Sequence, residues 1–220
     1  VKIGRRTALT TAGSLVVAVA TTATTASDAR ADLPDPRGVL ARIAAARDGL
    51  KTWRAGFTQE RTIGLLATKI RSHGTAVMVR PDRLRWQLDP PDAATYWVTP
   101  AGVAYSSADG HGSVPAGGGS PGKPSVTDAM ADLNTLLGGD LAKLSERYQL
   151  SAAETPTEVT VTAQAKDPSH GLRGFVLGFA PGDLGSPTRA TLLEAGKDRS
   201  EITFERAQKN IPVDPALMHP

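Results

Sequence analysis

The segment that most resembles a catalytic motif is Gly118-Gly119-Ser120-Pro121-Gly122, which fits the G-x-S-x-G nucleophile elbow. Such an elbow needs a strand before the serine, a helix after it, and a backbone N–H on the next residue for the oxyanion. Pro121 has no N–H to give, and the segment around it is Gly/Pro/Ser-rich loop, so the match carries no catalytic role. The four histidines, His73, His111, His170 and His219, show no metal-helix spacing such as H-E-x-x-H. His111 and His170 sit in Gly/Asp/Pro turn sequences. There is no cysteine, which removes thiolate nucleophiles, zinc-thiolate sites, disulfides and a lipid-modified N-terminal cysteine. Carboxylates are scattered among basic residues, so no general acid/base pair stands out. No phosphate-binding or dinucleotide fingerprint is present. The residues therefore nominate no catalytic group, metal site or cofactor, and the expected function is not enzymatic.

Charge narrows the partners. The chain carries a formal net charge of +3 and a pI near 9.3. Lys2, Arg5, Arg6 and Arg30 against Asp28 account for that excess within residues 1–31. The rest is neutral, so nothing points to the multiple phosphate contacts of a nucleic-acid binder. One local excess remains: Lys51 to Arg85 holds eight basic residues against Glu60 and Asp82. Its ordinary reading is the solvated face and edge protection of strands; the other is a docking face for an acidic partner or anionic headgroups.

The N-terminus reads as an address. A basic opening, an apolar stretch from Ala8 to Ala26 and the small-x-small triplet Ala29-Arg30-Ala31 describe a secretory signal. Arg5-Arg6 gives it a twin-arginine character, although Gly4 and Ala8 depart from that pattern. The uninterrupted apolar run Leu15–Ala20 falls far short of the roughly 20 residues needed to span a bilayer. The expectation is a signal over 1–31, a single domain over 32–220, and a soluble monomer in the periplasm or outside the cell.

The mature part alternates between two periods. Val39, Leu40, Ile43, Ala46/Arg47 and Leu50 give a helical stripe over Pro36–Leu50, with Asp35 as N-cap. From Trp53 the period becomes two, through Ala55, Phe57 and Gln59. Similar runs follow at Thr68–Arg80, Leu84–Asp89, Thr95–Thr99 and Val103–Ser107, separated by Pro-rich turns. Ser106–Ser125 reads as a loop. Met130, Leu133, Leu136, Leu137, Leu141 and Leu144 then predict two short helices broken at Gly138-Gly139-Asp140. Strands resume at Tyr148–Ala152, Glu158–Ala165, Gly174–Phe179, Thr188–Ala195 and Glu201–Arg206. The fold class is α+β: an antiparallel sheet with helices on one face. A sheet of about ten strands must curl or close, and a curled sheet under helices has room for an apolar cavity.

Taken in order, these segments resemble the periplasmic lipoprotein carrier family of LolA type. The resemblance runs through Phe57-Thr58-Gln59, Gly74, Arg80-Pro81, Leu84-x-Trp86, the Pro90 turn, Tyr96–Val98 and Gly102 to Tyr105. It continues in Leu136-Leu137-Gly138-Gly139-Asp140-Leu141, Ile202-x-Phe204 and Asn210-Ile211-Pro212-Val213-Asp214, covering roughly Val39 to Leu217. It implies an open, incomplete β-barrel whose helices close over an apolar cavity. That cavity would take acyl chains of lipoproteins from an inner-membrane transporter and pass them to an outer-membrane acceptor. Arg80 matches an arginine that helps hold the helical lid closed, with Leu133, Leu136 and Leu137 on the lid itself. Phe57, Ala76, Met78, Leu84, Trp86, Leu88 and Trp97 are the expected acyl-chain contacts. Ala76 and Met78 share strand parity with Arg80, so all three point one way. Cavity lining differs from core packing only in whether a space remains.

Two departures qualify the resemblance. The sequence ends at Met218-His219-Pro220, where the family continues through a Phe-rich strand and a tail tied to one-way transfer, and the Gly-rich Ala108–Pro124 loop is unusual. The rival readings are a carrier of the same fold for another lipid, glycolipid or apolar metabolite, and an envelope-sensing binding module.

Overall fold

Asp35 opens helix α1 (Pro36–Ala46): its carboxylate accepts from the N–H of Arg37, and Pro36 occupies a first-turn position where no N–H is needed. In this computed structural model the described residues are 35–64, 68–116, 126–138, 141–167, 172–194 and 197–220, all within the unit Leu33–Pro220. The expected signal segment 1–31, the Gly118–Gly122 motif and His170 lie outside them. Helix α1 ends at Ala46, before the expected Leu50. The Arg47 N–H closes the last turn on Ile43 and Ala44, and the chain bends through Asp48-Gly49 so that Leu50 N–H bonds the Arg47 carbonyl.

Eleven strands follow: β1 (Thr52–Ile63), β2 (Thr68–Val79), β3 (Arg83–Leu88), β4 (Ala94–Thr99), β5 (Gly102–Ser107), β6 (Gly110–Pro115), β7 (Tyr148–Glu154), β8 (Val159–Ala165), β9 (Leu172–Ala180), β10 (Asp183–Glu194) and β11 (Arg199–Lys209). Between β6 and β7 come helix α2 (Val126–Gly138) and a 3-10 helix, Leu141–Glu146. The second of the two predicted helices is thus a 3-10 turn. A further one, Pro215–Met218, capped by Asp214, was not anticipated.

All strands form one antiparallel sheet in the order β6-β5-β4-β3-β2-β1-β11-β10-β9-β8-β7. Two meanders, β1–β6 and β7–β11, are joined by pairing of β1 with β11, and β6 and β7 are left as edges. The sheet is therefore not closed into a barrel, which is the open α+β architecture expected. Asn210 fastens the junction: its Oδ1 accepts from Lys51 N–H at 2.7 Å, and its Nδ2 donates to the Gly49 carbonyl at 3.1 Å.

Strand β6 corrects the expected loop. Gly110, at φ 141°, closes a tight turn after Ala108-Asp109 in a conformation that disfavours other residues. Opposite Tyr105, a Cβ at Gly112 would stand 2.9 Å from the phenol oxygen. Glycine there leaves the ring its place, so a segment of low strand propensity still pairs along its length. His111 accordingly lies in a strand, not in a turn.

Period-two alternation sorts the sheet into two faces. Trp53, Ala55 and Phe57 on β1 stand opposite Met78, Ala76 and Gly74 on β2, which stand opposite Leu84, Trp86 and Leu88 on β3. On the second meander Phe204, Ile202, Ala190, Leu177 and Val161 continue this face. With α1, α2 and the Leu141–Glu146 turn above it, this face forms one continuous apolar cluster. Burying each large side chain contributes about 1.5–3 kcal/mol, which makes this cluster the main source of stability.

Candidate functional site

The expected acyl-chain contacts gather on the covered face, with one exception. Phe57, Ala76, Met78, Leu84 and Trp86 are all buried in the apolar cluster, and Leu88 packs against it half-buried. Phe57 stacks on Trp86 with ring centroids 3.8 Å apart and planes 26° from parallel. Phe204 meets Trp86 edge-on at 6.3 Å and Trp53 at 5.4 Å. Gly74, between Phe57 and Leu88 in the ladder, is what lets Phe57 lie flat, since a Cβ there would stand 2.9 Å from the Phe57 ring. Trp97 belongs elsewhere. It pairs with Arg85 and Ala104 on the outer face, and its Nε1 donates to the Leu217 carbonyl at 3.0 Å. Tyr96 and Val98 hold the inward positions of β4, because partners of Trp86 and Leu84 must share their face.

Helix α2 closes over this surface. Leu133, Leu136 and Leu137 are buried in the same cluster. The approach is close at the end of the helix: an added Cβ at Gly138 would come within 3.1 Å of Met78 Cγ and closer still to its terminal methyl.

Polar contacts at two points tie this cover down. Arg80, just past β2, donates from Nη1 to the Arg47 carbonyl at the end of α1. Arg47, only 2% exposed, sends Nη2 to the Leu136 carbonyl of α2 at 2.9 Å and lies over the Phe179 ring. Sheet, first helix and second helix are thereby linked through two arginines. Burial, and after it the charge of Arg80, push Arg47 down to about 10. At the other side of α2, Asp132 is 1% exposed, accepts from the Tyr148 hydroxyl at 2.6 Å, and is ion-paired with Arg147. Arg147 in turn lies over the Tyr148 ring.

Arg80 thus bonds the C-terminal end of α1 and is linked to α2 only through Arg47. Arg47 and the Asp132–Tyr148–Arg147 group were missed. For Arg47 a signal existed, because an arginine stands on the apolar stripe Val39, Ile43, Leu50 of α1. For Asp132 none did, since a lone acid beside Leu133 is ordinary helix composition.

The basic stretch Lys51–Arg85 divides. Lys69 and Arg71 both bond Glu60, holding its carboxyl below the usual range, and Arg61 bonds Glu194. Arg54 and Arg85 instead flank buried Val77 on the outer face, where burial and then the Arg54 charge lower Arg85. An open polar depression of about 710 Å³ beside them includes His73, Asp89 and Arg206. On the helix side, a pocket of about 620 Å³ runs along α1 between Arg37, Leu40, Ile43, Arg80 and Leu141. Among the described residues, no helix is long and apolar enough to cross a membrane.

Comparison with known proteins agrees with this geometry. The family model described as outer membrane lipoprotein carrier protein LolA matches residues 128–219, from α2 through the second meander to the C-terminal turn. No curated protein sequence matches the chain. Among solved structures, a DUF1329 family protein from Desulfovibrio piger shares the fold at 9% identity and a TM-score of 0.50, over 84% of this chain and 95% of that one. A LolA superfamily protein from Nitrosomonas europaea aligns at 8% identity and a TM-score of 0.48, over 84% and 97% of the two chains. Over residues 128–219, then, the chain is similar to the LolA lipoprotein carrier family.

Proposed function

We propose that the protein is a monomeric periplasmic carrier that shelters the acyl chains of lipoproteins under helix α2, taking them from an inner-membrane transporter and releasing them to an outer-membrane acceptor. The observation that carries this reading is the covering of a broad apolar sheet face by a helix held through a handful of polar contacts. A buried arginine tether adds little net stability to a core. A core that must open and reclose gains from one, because directional bonds restore one closed arrangement.

The energetics fit a shuttle. At about 0.8 kcal/mol per buried CH₂, exposing one sixteen-carbon chain to water costs roughly 13 kcal/mol. Phe57, Ala76, Met78, Leu84, Trp86 and Leu88 offer such a chain an apolar wall once α2 lifts, and Leu133, Leu136 and Leu137 offer the roof. Arg80 and Arg47 act as the catch. Binding then requires only that the apolar contacts with cargo replace those between α2 and the sheet. No bond is made or broken.

Native mass spectrometry of protein recovered from the periplasm, followed by organic extraction, tests the reading. Bound acylated lipoprotein is the expected result, and depletion of the protein should strand outer-membrane lipoproteins in the inner membrane. Free lipid or glycolipid in the extract would move the cargo to a different class. A protein that is empty and takes up no fluorescent acyl probe would end the carrier reading.

A further inference from the structure

The outer face of the sheet, opposite the covered one, carries cations that the carrier reading does not use. Strand pairing sets Gln208, Arg54, Val77, Arg85, Trp97 and Ala104 side by side in one row, from β11 across β1 to β5. No carboxylate stands among these six. Cations elsewhere on the strands do meet one: Arg61 bonds Glu194, Lys69 and Arg71 bond Glu60, and Arg189 bonds Glu158. Arg54 and Arg85 have neither a hydrogen bond nor an ion pair among the described residues, and Arg85 Nε is buried without a partner. Arg83, two residues before Arg85 on the same face, meets an imidazole, its Nη1 lying 3.4 Å from His219 Nε2. Beside these cations Trp97 is half-buried, and Leu217, whose carbonyl accepts from the Trp97 indole, is 44% exposed.

We propose that this outer face docks on an anionic phospholipid surface, with Arg54 and Arg85 on lipid phosphates and Trp97 and Leu217 at the headgroup boundary. Guanidinium donors left unused by the chain suit phosphate oxygens, and an indole beside cations is the chemistry of a membrane interface. An extended polypeptide fits less well. Strands β1 to β4 are paired along both edges, so none of them can accept an added strand. The inference concerns the face away from the helices and stands whatever the covered face carries.

The protein holds its own probe. Trp53 is 0% and Trp86 4% exposed, so Trp97 is the tryptophan that meets lipid from outside. The full chain is titrated with vesicles of phosphatidylcholine brominated on its acyl chains, either pure or mixed two to one with phosphatidylglycerol. The expected result is quenching of tryptophan fluorescence by the anionic vesicles alone, fading as salt is raised. Arg54→Gln with Arg85→Gln should weaken vesicle affinity about 25-fold, the product of a fivefold loss for each cation near the surface. Arg54→Lys with Arg85→Lys should keep most of it, which separates lost charge from lost folding. Trp97→Phe should abolish the quenching. Quenching that survives in Trp97→Phe would mean that lipid reaches Trp53 or Trp86 inside, which overturns the outer-face contact and leaves the carrier reading standing. Quenching that survives in the glutamine pair would assign the attraction to other cations, those of residues 1–31 included, and overturn it too. Equal quenching by neutral vesicles, or none by either kind, would do the same. Release from anionic vesicles by polyglutamate at equal charge would give the face to an acidic polypeptide instead.

Discussion

In the proposed carrier, closure turns on Arg47. Its guanidinium is buried against Phe179, donates to the Leu136 carbonyl, and sits beside Arg80, with the consequence that burial pulls its pKa down to about 10. Because the folded value lies below the unfolded one, the charged form costs stability at every pH below about 10, and that cost is relieved as pH rises towards the ordinary arginine range. Replacing a buried cation by an apolar residue of similar volume is often neutral or stabilising. Arg47→Met should therefore leave the thermal midpoint close to that of the parent while loosening α2. A charged hydrogen bond is worth about 1.5–3 kcal/mol, so uptake of a fluorescent acyl probe should quicken by tenfold or more. Stopped-flow mixing measures this, and an unchanged rate at unchanged stability would remove Arg47 from the catch.

At the level of elements, the β1-β2-β3 layer carries the aromatic wall, and Gly74 decides its geometry. A Cβ at that position would stand 1.9 Å from the backbone oxygen of Gln87, which cannot swing aside as a side chain can. It would also push into the Phe57 ring and disturb its stacking on Trp86. Gly74→Ala should cost about 1–3 kcal/mol, the usual penalty for overpacking. In urea unfolding the midpoint should fall at an unchanged slope, since the surface exposed on unfolding is the same. An undisturbed midpoint would mean that β2 and β3 shift apart at no cost, and that this face is more pliant than its packing implies.

For the whole molecule the question is whether α2 must leave the sheet for cargo to enter. The chain has no cysteine, so a staple can be placed without competition. An ideal Cβ at Gly138 lies 3.1 Å from Met78 Cγ, near the position a sulfur on residue 78 would take. A disulfide needs Cβ atoms about 3.5–4.5 Å apart, and this close approach makes Met78→Cys with Gly138→Cys the pair to test as a staple between α2 and β2. The oxidised double variant should take up no acyl probe, and reductant should restore uptake. Full uptake by the oxidised protein would show that chains enter without displacement of this end of the helix.

Much of this architecture was written locally. Alternation from Trp53 onward, Pro-rich turns and the stripe on α2 marked nearly all strands and both helices, because each depends on neighbours a few residues away. The absence of a plausible nucleophile or metal spacing was equally local, and so was the grouping of Ala76, Met78 and Arg80. Three things were not. β6 pairs with β5 along its length, with Gly112 opposite Tyr105, although its own residues favour a loop. Trp97 is neighboured by Tyr96 and Val98, and only pairing with β3 shows which of the three face inward. The arginine and Asp132 tethers join residues far apart in sequence, Arg47 with Leu136 and Asp132 with Tyr148. Sequence by itself determined the period of each element and the apolar character of one face. The tertiary structure alone decided which strands meet at β1 and β11, which residues share the covered face, and which polar groups hold the cover. Periodicity is set by backbone geometry within a few residues, whereas burial is created only when distant segments exclude water together.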